Sequence, residues 1–100
     1  MSFCKEAFKL DETPRKWTLD VLKYLHKNMG SRKTITKGDI FQDGLGMSPD
    51  SQRRSWARVA SLDSCLVDKK KLILRHEGIN KKTGRRASLY QISKKGTELI

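Results

Sequence analysis

The feature that most constrains the fold is a change of period near residue 72. Before it, apolar residues recur at helical spacing behind Ser/Thr-Pro start signals. After it, the chain reads LILRHEGINKKTGRRASLYQIS, Leu72 to Ser93. Ser88, Tyr90 and Ile92 alternate there with Leu89 and Gln91, the two-residue period of a strand. Leu72–Arg75 and Ser88–Ile92 therefore read as a hairpin. The nine-residue tip, Gly78 to Arg86, holds two glycines and four cations, Lys81, Lys82, Arg85 and Arg86. Gly78 and Gly84 permit the positive φ that a longer hairpin loop needs.

Upstream, Ser2–Leu10 reads as a short helix with Phe3, Ala7 and Leu10 on one side. Thr13-Pro14 is a cap followed by Pro at the first helical position, and Trp17, Val21, Tyr24, Leu25 and Met29 form the core face of the helix it opens. Gly30 ends it. Ser31–Ile35 is a polar link with a short strand at Lys33–Ile35. Thr36 caps a second helix, with Asp39 in its first turn and Ile40 and Phe41 inward, stopping at Gly44–Gly46. Ser48-Pro49-Asp50 opens a third helix whose core stripe is Trp56, Val59, Ala60 and Asp63. Leu66 and Val67 extend it or begin a turn, and Asp68–Lys71 is a last turn or a loop. Ser93–Gly96 reads as a turn, with Thr97–Ile100 starting a final helix.

Three helices followed by a two-stranded β-hairpin give an α+β fold of the winged-helix kind. It is expected over residues 13–100, with 1–12 as an N-terminal arm or short helix.

Charge adds a function class. Residues 1–50 carry nine basic and seven acidic side chains, net +2; residues 51–100 carry thirteen and four, net +9. Nearly all of the +11 excess lies in the half that holds the hairpin, which points to a polyanion partner. Charges in MSFCKEAFKL argue against a secretory leader, and no run is long enough to span a membrane. Cys4 and Cys65 read as two reduced thiols of a cytoplasmic, nucleoid-associated protein. A zinc site from Cys4, Cys65, His26 and His76 lacks paired ligand spacing.

The later part of the chain resembles the N-terminal winged-helix domain of Mrr-type restriction endonucleases. Trp56-Ala57 matches a Trp-Ala pair in the third helix, and Cys65-Leu66-Val67 stands at the Gly-Leu-Ile turn. Tyr90-Gln91-Ile92-Ser93-Lys94-Lys95-Gly96 matches the strand end. The resemblance covers about residues 14–100, with matches at 54–67 and 88–99. Ser61 departs from a family Leu, Cys65 from the turn Gly, and the wing is longer and more basic. The resemblance implies DNA recognition, with a nuclease domain or subunit as a further partner.

In such a fold the third helix meets the bases and the wing lies on the backbone or in the minor groove. Opposite the core stripe of that helix lie Ser51, Arg54, Ser55 and Arg58, flanked by Gln52 and Arg53. Arg54 and Arg58 are four apart and project from one side. Arg pairs with guanine, and Ser or Gln with phosphate or base edges. Lys81, Lys82, Arg85 and Arg86 serve the wing, and Lys69, Lys70 and Lys71 its base. About six such contacts would give a slope of log K against log salt near −5.

Asp63, Asp68, Glu77 and Glu98 make no nuclease cluster; His76-Glu77 beside Asn80 is too little for a metal site, and His26 reads as surface. The chain is expected to be non-catalytic, without cofactor, and to bind double-stranded DNA as a transcription regulator or the targeting module of a restriction-type system. RNA binding is the second reading. It is disfavoured because the seven aromatics fall mostly on core stripes, which leaves little for stacking on single strands. The third is a protein-interaction wing for an acidic partner. A homodimer through Phe3, Phe8 and Leu10 competes with packing of that arm on its own chain.

Overall fold

A computed structural model describes residues 4–28 and 34–100. Its order is α1 (Cys4–Ala7), α2 (Lys16–Asn28), α3 (Lys37–Asp39), α4 (Pro49–Arg54), α5 (Trp56–Ser61), β1 (Ile73–Asn80), β2 (Arg85–Ile92) and α6 (Lys94–Leu99). Wider turns extend α3 through Ile40–Gly44 and α5 through Leu62–Val67. There amides bond five residues back, as Leu45 N does to Ile40 O at 3.1 Å and Asp68 N to Asp63 O at 3.0 Å. The class is α+β, with an antiparallel hairpin following the helices. Among the described residues no helix is long and apolar enough to cross a membrane.

The capping signals carry through. Thr36 and Asp39 form a reciprocal capping box, and Ser48 accepts from Ser51 N with Pro49 at the first helical position. The Thr13-Pro14 signal does not: α2 starts at Lys16. Pro14 instead forms a bridge with Phe8, which folds the N-terminal arm onto α2. Trp17 Nε1 donates to Glu6 O at 2.8 Å and Thr18 Oγ1 to Ala7 O at 2.8 Å. Ala7 and Phe8 thereby join the core of their own chain, while Leu10, expected on the apolar side, is fully exposed. Phe3, Met29, Gly30 and Lys33 lie outside the described residues.

The core takes Val21, Leu22 and Leu25 from α2, Ile40 and Phe41 from α3 and its extension, and Leu62, Cys65 and Leu66 from the turn after α5. Ile73, Tyr90 and Ile92 close it from the hairpin. Cys4 and Cys65 are joined by a disulfide with Cα atoms 5.1 Å apart, not separate thiols as expected. The pairing follows from the bridge at Phe8, which lays α1 against the turn carrying Cys65.

Both strands are longer than the sequence pattern indicates. Their register runs from Ile73↔Ile92 to Asn80↔Arg85, so the tip shrinks to four residues, 81–84, closed by Gly84 N donating to Asn80 O at 2.7 Å. Gly84 holds φ +70°. Gly78 is not a turn residue but a strand position under the side chain of Leu89. Ile35, expected in a strand, contributes a single ladder-like contact, its carbonyl accepting from Tyr90 N at 2.9 Å. Ser93 is the cap of α6 rather than part of a preceding turn.

Candidate nucleic-acid interface

The hairpin leaves the core at Tyr90. Beyond Ile73 and Tyr90 neither strand has a fully buried residue, and the tip meets α3 through Lys82. Register separates its two faces. Ile73, Arg75, Glu77, Ile79, Arg86, Ser88, Tyr90 and Ile92 share the face that meets the core; Arg85 sits on the other. Lys81, Arg85 and Arg86 are exposed, and among the described residues none of their side chains has an ionic partner. Lys82 differs. Its Nζ lies 3.1 Å from Asp39 Oδ1, tying the tip to the first turn of α3. Burial pushes the Asp39 carboxyl up, but the bonds from Thr36 and Lys82 outweigh it and hold the group below the ordinary carboxylate range.

Asp63, expected on an apolar stripe, is the hub that fixes the hairpin. Its Oδ1 accepts from Tyr90 OH at 2.8 Å and Arg75 NH1 at 3.0 Å, and its Oδ2 lies 2.6 Å from Lys37 Nζ. Three elements, α3, β1 and β2, thus converge on one carboxylate. Burial alone would raise its pKa; the bonds from Lys37, Tyr90 and Arg75 reverse that and lower it. The Tyr90 hydroxyl is pushed well above its usual range, first by burial and then by donating to Asp63. Sequence gave one signal for this hub, an acid at core spacing on a helix, a position that needs partners.

The third helix is interrupted. At Ser55 the backbone takes φ −101°, ψ 40°, outside helical values, and separates α4 from α5. The expected stripe breaks there. Trp56, assigned to the core, is 63% exposed, while Val59 stays packed against the core. Arg53 and Arg54 are exposed at the end of α4, Arg53 within 3.3 Å of Asp50. Arg58 is half-buried, 5.5 Å from the centre of the Trp17 ring, whereas Arg54 is exposed. Ser51 and Gln52 serve the helix start. Ser51 bonds the Ser48 hydroxyl, and Gln52 Nε2 donates to Met47 O at 3.1 Å.

The triple lysine lies beside the N-terminal arm. Lys70 Nζ is 2.6 Å from Glu12 Oε2 and 4.9 Å from the centre of the Phe8 ring. Lys69 and Lys70 line one concavity with Lys5, Lys9 and Arg15, a second basic surface that sequence spacing could not bring together. Lys71 adopts φ 56° where the chain turns into β1, with its carbonyl bonded by Ser93 Oγ at 2.7 Å. Among the described residues no group of three or more His, Cys, Asp or Glu could hold a metal ion; the disulfide takes both cysteines out of the four-ligand set.

The chain matches no protein-family model, no curated protein and no solved structure.

Proposed function

We propose that the chain is a non-catalytic winged-helix module that binds duplex DNA. The reading lays α4–α5 in the major groove and the hairpin tip along the backbone. The observation that carries it is the hairpin itself. Eight residues per strand hold Lys81, Arg85 and Arg86 beyond the core, on a base locked by Asp63. Among the described residues Lys81, Arg85 and Arg86 have no ionic partner, and exposed cations of this kind gain from phosphates set opposite them. Arg54 extends the cationic surface from the end of α4. Lys82 and Arg58 enter as reserves, one held by Asp39 and one by Trp17. On this reading the protein associates with the nucleoid and acts as a transcription regulator or as the targeting part of a restriction-type system.

Labelled random-sequence duplex DNA, titrated across a salt series with duplex RNA as competitor, tests the reading. Expected is a linear fall of log K with log salt, with a slope of about −3 to −5, and displacement by DNA before RNA. Absence of binding at low salt, or equal displacement by RNA, contradicts it.

A further inference from the structure

Trp56 raises a question that the duplex reading leaves open. Large aromatics exposed on a helix are uncommon, since burying one contributes strongly to folding. Here the break at Ser55 precedes Trp56, and the indole is 63% exposed. The groove beside it is lined by Pro49, Val59 and Ala60 and by Lys37 and Arg53, with Lys37 held by Asp63 at 2.6 Å. Gln52 also lines it, and because only its Nε2 is committed to Met47 O, its amide oxygen remains an acceptor. No carboxylate lines the groove. The Arg53–Asp50 pair is 73–79% exposed on both sides, the kind of contact that exchanges readily for a phosphate. An apolar lining, an acceptor and the exchangeable Arg53 guanidinium fit a nucleobase with its own phosphate.

We infer that the Trp56 groove takes one unstacked nucleobase of DNA, so that the protein binds tightest where the base stack is interrupted. The inference rests on the DNA reading above. A base inside an intact duplex offers no free face, and extruding one costs energy that a gap has already spent. Stacking on Trp56 therefore adds affinity only at a gap, nick or single-stranded end. It reverses the expectation, drawn from aromatics assigned to the core, that base stacking is disfavoured.

The test compares a labelled DNA duplex with the same duplex carrying a short central gap. The gapped form is expected to bind about tenfold tighter and to quench tryptophan fluorescence, with buried Trp17 as the unquenched reference. Trp56→Ala is expected to abolish both the preference and the quenching, and Trp56→Phe to keep most of the preference. Thermal melting confirms that each variant is folded, which an exposed site allows. Equal affinity for gapped and intact DNA, or a preference that survives Trp56→Ala, overturns the inference and leaves duplex binding standing. So does an equal preference for a gapped RNA duplex, or a dimer that sedimentation shows Trp56→Ala dissolving without any gap preference. Failure to bind either DNA form overturns this inference and the duplex reading together.

Discussion

Lys82 Nζ sits 3.1 Å from Asp39 Oδ1, joining the hairpin tip to a helix start 43 residues earlier in the chain. Among the described residues, the pair sets Lys82 apart from Lys81, Arg85 and Arg86, which have no ionic partner there. Asp39 also accepts from Thr36 N at 3.1 Å through its other oxygen, so Asp39→Asn can keep the cap and drop the charge. That variant is expected to bind duplex DNA more tightly and to steepen the salt slope by up to about 1. Lys82→Ala should change the slope less than Lys81→Ala does. Equal effects of the two lysines would show that the ion pair does not hold in solution.

The Asp63 hub predicts an acid-side loss of stability. Its carboxyl titrates lower in the folded chain than in the unfolded one, because its bonds from Lys37, Tyr90 and Arg75 outweigh burial. Stability from this group is therefore present above the unfolded value, about pH 4, and is lost as pH falls through the lower folded value. Asp63→Asn should cost about 2 kcal/mol at neutral pH, a difference that shrinks below about pH 4. Tyr90→Phe, which keeps the buried ring, should cost about 1 kcal/mol. Urea unfolding at several pH values measures both. A pH-independent gap between parent and Asp63→Asn would contradict the hub.

The disulfide closes a sequence separation of 61 residues. Loop-closure entropy puts its contribution at about 4 kcal/mol. Denaturant unfolding with and without reductant should show a loss of this order, and Cys4→Ser with Cys65→Ser should make the midpoint insensitive to reductant.

Gly96 predicts a packing defect. A Cβ there would stand 2.3 Å from the Leu72 carbonyl oxygen and 2.9 Å from the Ile92 side chain. Backbone cannot yield as a side-chain tip can, so Gly96→Ala should cost about 1–3 kcal/mol despite the gain in helix propensity. A melting temperature equal to the parent's would contradict the close docking of α6.

Elements signalled by local chemistry were legible in the sequence. Thr36 with Asp39 and Ser48 with Pro49 mark real helix starts, because a cap needs only neighbours. The alternation at Ser88–Ile92 marks a real strand. What sequence hid depends on tertiary contact. Pro14 sits in a bridge rather than a helix because Phe8 folds back on it. Gly78 reads as a turn residue but lies in a strand, where Leu89 covers it. The helix phase from Ser48 cannot register the break at Ser55, so it points Trp56 at the core although the indole is exposed. Lys82 and Lys70 look like their neighbours in sequence; only the fold brings Asp39 and Glu12 to them.

The central claim is that the hairpin tip contacts phosphates, and a charge-matched comparison tests it most directly. One variant carries Lys81→Ala, Arg85→Ala and Arg86→Ala. The other carries Lys23→Ala, Lys94→Ala and Lys95→Ala, three exposed cations on α2 and α6. Both lose the same net charge. The account predicts that the first flattens the salt slope of duplex DNA binding by about 2 to 3 and that the second leaves the slope near the parent's. Equal flattening by both, or a slope indifferent to the tip, would contradict it.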